Sequence, residues 1–207
     1  MAKRRRGRPA GTSGRAAVLS PSQIKLVLRL AAARGRHADR AEVALALSLG
    51  LGLRAKELAG VKWTDVYDSN GRVRAVMHLK AAYTKGGRVR DVFLSSPALR
   101  RVLARYGEAH WVMASGTSSA ALLPSQKGGP MTAYSMARFI KGLYREAGII
   151  GASSHSGRRT LITRLAERGV DLKAIAQIAG HTSIRTTAMY VEANPTRLAR
   201  ILQDVTF

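Results

Sequence analysis

Strand-type alternation is confined to one stretch of this chain, Val61 to Leu94, and helix start and stop signals bracket it on both sides. That pattern limits the fold to a mostly α, α+β domain with one small sheet. Within the stretch, Val73, Ala75, Met77 and Leu79 alternate with Arg72, Arg74 and His78 after an Asn70-Gly71 turn. Lys85-Gly86-Gly87-Arg88 makes a second turn into Val89–Leu94, so the spacing predicts a three-stranded antiparallel meander with a lysine at its tip. Upstream, Ser20-Pro21 reads as an N-cap followed by proline at the first helical position, and a second apolar helix spans roughly Arg40 to Gly50. Arg54 and Glu57 then fall three apart in a short helix ending near Gly60. Downstream, Ser96-Pro97 opens a helix with Leu99, Val102, Leu103 and Tyr106 on one face. Thr132 caps another, running to about Ala147. Ser153 or Ser154 caps a helix ended by Gly169, Asp171 caps one ended by Gly180, and a short helix follows through Tyr190. Pro195 opens a last one, with Leu198, Ile201 and Leu202 as its apolar stripe.

The 207 residues suffice for one substantial domain, and 46% apolar content allows a core. Without cysteine, disulfides, thiolate metal sites and a thiol nucleophile are excluded. No long apolar run or signal peptide is present, which points to a cytoplasmic protein. Thirty-five Lys and Arg against 12 Asp and Glu give +23, an excess that attracts a polyanion. A ribosomal or histone-like protein has the same signature. Residues 1–18 are too polar and glycine-rich to bury a core and read as a basic DNA-binding arm carrying Arg4, Arg5, Arg6 and Arg8. Arg6-Gly7-Arg8-Pro9 resembles a minor-groove AT-hook, while a plain solvated basic tail has the same composition. Residues 19–207 form the globular domain, closed by a tail helix over 195–207.

Cutting a phosphodiester without a metal needs a nucleophile, charge neutralisation on the non-bridging oxygens and an acid for the leaving oxygen. Arg54, at a helix start after a Gly-Leu-Gly-Leu bend, offers a planar fork for phosphate; it can equally be a surface arginine paired with Glu57. His155 and Arg158 share a face at a helix beginning, where backbone N–H groups favour an anion. Lys85 at a hairpin tip can donate a proton or merely be solvated. Tyr190, between Met189 and Val191, can be a core tyrosine, and His181 after Gly180 a capping residue. The scattered carboxylates give no metal-binding cluster, and no metal or other cofactor is expected.

Order and spacing together change this picture. The stretches G-L-G-L-R-A-K-E-L-A-G-V-K-W-T-D-V, S-H-S-G-R-R-T-L-I-T-R-L and A-G-H-T-S-I-R-T-T-A-M-Y-V, with the hairpin T-K-G-G-R-V-R-D-V-F-L, resemble the catalytic domain of the tyrosine recombinases, the phage integrase family, from about Leu19 to Leu202. The resemblance implies that Tyr190 attacks a phosphate to form a 3′-phosphotyrosyl bond. Arg54 and Arg158 would clamp the non-bridging oxygens, with His181 adding a hydrogen bond. His155 would assist removal of the tyrosine proton, Lys85 would protonate the leaving 5′-oxygen, and Glu57 would support the first arginine's helix. It also implies double-stranded DNA as partner, a homodimer or homotetramer on that DNA, an accessory protein in some systems, and a bacterial, phage or archaeal setting near the nucleoid.

The chain departs from the family pattern in three places. The basic arm stands where the family usually carries a helical core-binding domain, Arg159 stands where many relatives have His, and 17 residues follow Tyr190. That tail would dock on a neighbouring subunit or fold back on its own core. Two other readings keep the same residues: a type IB topoisomerase relaxing supercoils, and a DNA-binding module of this fold without turnover.

Overall fold

The computed structural model describes residues 16–84, 87, 89–114, 120–189 and 203. Lys85, Tyr190, the arm arginines and, apart from position 203, the tail helix lie outside them. Helix α1 (Pro21–Ala32) starts at the Ser20 N-cap, whose hydroxyl accepts from the Gln23 N–H while the Gln23 side chain accepts from the Ser20 N–H. After a 3-10 turn (Gly35–His37), α2 (Ala38–Leu51) runs through the centre with Ala41, Val43, Ala44, Leu45, Leu47 and Leu51 buried. A helix apolar nearly all round belongs inside, and α1, α5, α6 and α7 pack around it. Two short helices follow, α3 (Ala55–Gly60) and α4 (Trp63–Val66), then strands β1 (Val76–Leu79) and β2 (Arg90–Phe93). The remaining helices are α5 (Pro97–Ala114), α6 (Ala133–Glu146), α7 (Ser156–Glu167), α8 (Leu172–Ala179) and α9 (Ile184–Ala188). Among the described residues no helix is long and apolar enough to cross a membrane.

The mostly helical α+β expectation holds, but the sheet has two strands, not three: β1 pairs antiparallel with β2, Val76 opposite Phe93 and Leu79 opposite Arg90. Residues 63–66 coil instead, because Asp65 accepts from the Lys62 N–H at 2.8 Å and starts a helical turn. The Asp68 carboxylate then takes the N–H groups of Asn70 and Arg72, both at 2.9 Å. Among the described residues, in place of a third strand there are isolated bridges, Tyr67 to Val73 and Lys62 to Ala121. Trp63 stacks between Tyr67 and Tyr106, at 4.9 and 5.3 Å, and fixes this corner to α5.

Two glycines decide how close the site-bearing segments come. At Gly157 a Cβ would lie 2.4 Å from Ser48 Oγ and 2.9 Å from the Ser48 backbone, so α7 closes on α2 only because no side chain intervenes. Gly180 ends α8 in the left-handed region, φ 63°, and turns the chain back toward β2.

Candidate active site

Arg54 is the N-cap of α3, placed there because Gly52 (φ 65°) stops α2 two residues earlier. Its backbone N–H donates to Glu57 Oε2 and its Nη1 to Glu57 Oε1, both at 2.8 Å. Glu57 is wholly buried, so a carboxylate that would be costly alone is held between donors. The pairing does not consume the arginine, because Arg54 Nη2 still reaches the Gly180 carbonyl at 3.3 Å. Arg158, one turn into α7 and only 2% exposed, donates from Nη1 to the Gly52 carbonyl at 2.8 Å and from Nη2 to the Ala179 carbonyl.

The end of α8 draws these groups together. Its last carbonyls need partners outside the helix. The Gly180 and His181 N–H groups take those of Gln177 and Ala176, at 3.0 and 2.9 Å. The next three, Ile178, Ala179 and Gly180, accept from Arg90, Arg158 and Arg54 respectively. Three guanidiniums thus meet the negative end of one helix, where cations are favoured. His181 follows at once, its Nδ1 2.8 Å from Thr187 Oγ1 of α9.

This crowd of positive charge governs the histidines. Burial, then Arg158, Arg54 and Arg90, push His181 down to about 4. Partial burial, with Arg158 and Arg54, also holds His155 below its ordinary value. Both rings are neutral near pH 7. His155 is the N-cap of α7, whose helix begins at Ser156 and not directly after Ser153 or Ser154 as the sequence predicts. Ser153 shapes the preceding turn, its hydroxyl accepting the His155 N–H at 3.3 Å.

Of the residues picked from sequence, Arg54, Glu57, His155, Arg158 and His181 come together; Lys85 and Tyr190 fall outside the described residues. Sequence reasoning missed Thr187 and Arg90. A signal for Arg90 existed: with period two it shares a face with Val92 and Leu94, both buried. Arg54 and Arg90 share the one carboxylate of Glu57 and Arg158 is held by backbone carbonyls, so positive charge is in excess and the arrangement can serve as an anion receptor. Among the described residues no three His, Asp or Glu side chains are grouped to hold a metal ion.

The family model described as "Phage integrase family" matches residues 17–197, most of the chain and every motif around this receptor. The chain belongs to the phage integrase family. Tyrosine recombinase XerC of Pelobacter propionicus is 32% identical over 151 residues, covering 72% of this integrase-family chain and 46% of that protein. XerC of Myxococcus xanthus is 30% identical over 189 residues, covering 89% and 58%. The chain therefore spans about half the length of these curated relatives. Solved structures share its fold. XerA recombinase superposes with TM-score 0.73 at 23% identity, covering 92% of this chain and 66% of that one. XerH in a post-cleavage complex with a palindromic difH substrate gives 0.70 at 19% identity, covering 93% and 54%.

Proposed function

We propose that this chain is the catalytic part of a tyrosine-type site-specific recombinase. It cuts and rejoins double-stranded DNA through a 3′-phosphotyrosyl intermediate, uses no metal or other cofactor, and exchanges strands through a Holliday junction. The observation that carries the reading is the convergence of Arg54, Arg158 and a neutral His181 on the end of α8. The guanidiniums supply charge and N–H donors to the non-bridging oxygens of a phosphate, most strongly as the pentacoordinate transition state gains charge. In this reading Nδ1, 2.8 Å from Thr187 Oγ1, accepts from that hydroxyl, so that His181 carries its proton on Nε2 and donates it in a hydrogen bond to the same phosphate. The Tyr190 hydroxyl attacks phosphorus and passes its proton to His155, which is neutral and free to accept it. The 5′-oxygen leaves with a proton from Lys85. Attack by that 5′-hydroxyl in reverse, or by one from a partner strand, releases the tyrosine and restores the backbone.

The relatives' names support a DNA substrate: XerH is described bound to difH, and lambda integrase as a dimer bound to a core site. In our reading this chain likewise acts as a homodimer or homotetramer on duplex DNA in the cytoplasm, close to the nucleoid. Arg4, Arg5, Arg6 and Arg8 of the arm add phosphate contacts.

The test is covalent capture on nicked duplexes carrying the sequences that flank the gene, run on denaturing gels beside Tyr190→Phe. The expected result is an adduct in the wild type and none in Tyr190→Phe, with equal retardation of DNA by both. Retardation without an adduct in the wild type would instead make this a DNA-binding module without turnover.

A further inference from the structure

We infer that Arg90 is a positioning residue for the cutting reaction, holding the Arg54–Glu57 pair and the His181 turn in one frame. This rests on the recombinase reading of the same site. The Arg90 guanidinium lies between the two: Nη2 is 3.2 Å from Glu57 Oε2, and Nη1 donates to the Ile178 carbonyl at 2.8 Å. Its side chain is only 12% exposed. Gly180 passes so close that a Cβ there would sit 2.6 Å from Arg90 Cδ and Nε, so the two positions are built against each other.

Glu57 and Ile178 belong to helices 121 residues apart in sequence, and one rigid planar cation spans them. Glu57 in turn orients Arg54 through two bonds. Removing Arg90 leaves the carboxylate held from one side only and takes a donor from the end of α8, the segment that presents His181. Among the described residues, the groups facing His181 include Arg158 from α7, Arg54 from the start of α3, Arg90 from β2 and the Thr187 hydroxyl of α9. Arg90 therefore acts on the histidine through charge as well as position, an effect that a packing residue would not have.

The test compares Arg90→Met with Arg90→Lys in the full chain. On the nicked duplexes above, Arg90→Met slows single-turnover adduct formation about 100-fold and leaves DNA retardation unchanged, the scale typical of a partner that orients reacting groups. Lysine keeps the charge but cannot bridge both acceptors, so Arg90→Lys is slowed about tenfold. A wild-type rate in either variant overturns the inference. The second readout needs no cleavage: in a histidine-labelled NMR titration, His181 titrates higher in Arg90→Met and unchanged in Arg90→Lys. An unshifted His181 in folded Arg90→Met also overturns it. If the wild type forms no adduct, the recombinase reading fails and the titration alone decides the role of Arg90. If Arg90→Met does not fold, the rate and titration of Arg90→Lys decide it.

Discussion

The two halves of the candidate site stand on unequal foundations. Arg54 and Glu57 are rooted in the large core that runs through α1 to α6, where Leu45, Leu47, Leu53 and Leu58 are buried together. His181 follows α8, which packs on α7 through a separate small cluster of Ile162, Ala166, Ile175 and Ala179. Apolar area fixes the first half; the second has little of it. There the guanidinium bonds from Arg90, Arg158 and Arg54 to consecutive carbonyls take a larger share of the positioning. The α8 edge is accordingly the part of the site that can shift without unfolding the domain, since local opening free energies follow buried contacts.

The heaviest test of this contrast is Leu45→Ala in the central helix. A cavity there should cost about 4 kcal/mol of global stability in urea denaturation, because the surroundings are already close-packed. Glu57→Gln is next. It leaves two guanidiniums facing a neutral amide inside the protein, at a cost of about 3 kcal/mol. A loss much under 1 kcal/mol would mean that solvent screens the pair and that Glu57 does not anchor Arg54. Ile175→Ala is smaller, about 2 kcal/mol, and local in its expression. Hydrogen exchange should quicken at α8 and α9 amides while those of α2 stay as slow as before. Uniform acceleration would show that the two clusters open as one unit.

The helical frame was largely readable from residues that punctuate it. Ser20-Pro21, Thr132, Asp171 and Gly180 mark ends that the structure also uses, while the second helix, read as ending at Gly50, runs on to Leu51 and is capped by Gly52. The missing third strand escaped because Asp65 starts a helical turn in a stretch whose apolar alternation resembles a strand. Within the site, spacing in sequence showed which residues share a helix face, as for Arg54 with Glu57. It did not show that three guanidiniums from different segments meet one helix end, because that depends on Gly157 letting α7 close on the α2 backbone and on Gly180 leaving room for the Arg90 side chain. Arg90 carried no reading of its own from the sequence; period two puts it on the face of Val92 and Leu94, and their burial shows which way that face points. The depression of His181 follows from its burial and from that meeting, and neither has a local sequence signal.

The smallest predicted effect tests the meeting itself. His181 drops from 6.5 to about 4 in the folded protein. As pH falls through this window the unfolded chain takes up a proton that the folded one refuses, so stability declines from about pH 6.5 and the contribution levels off near pH 4. His155 is shifted the same way and adds to the slope. Replacing the ring with a neutral side chain removes one of the two contributions. Between about pH 7 and about pH 4.5, His181→Gln should therefore lose less thermal stability than the wild type, carboxylate effects being common to both. The effect should be modest because the ring is only partly buried, and it should shrink in added salt. Equal losses would mean that His181 titrates normally. The end of α8 would then stand farther from Arg54, Arg90 and Arg158 than their bonds to its carbonyls require, and the unequal foundations of the two halves would lose their physical basis.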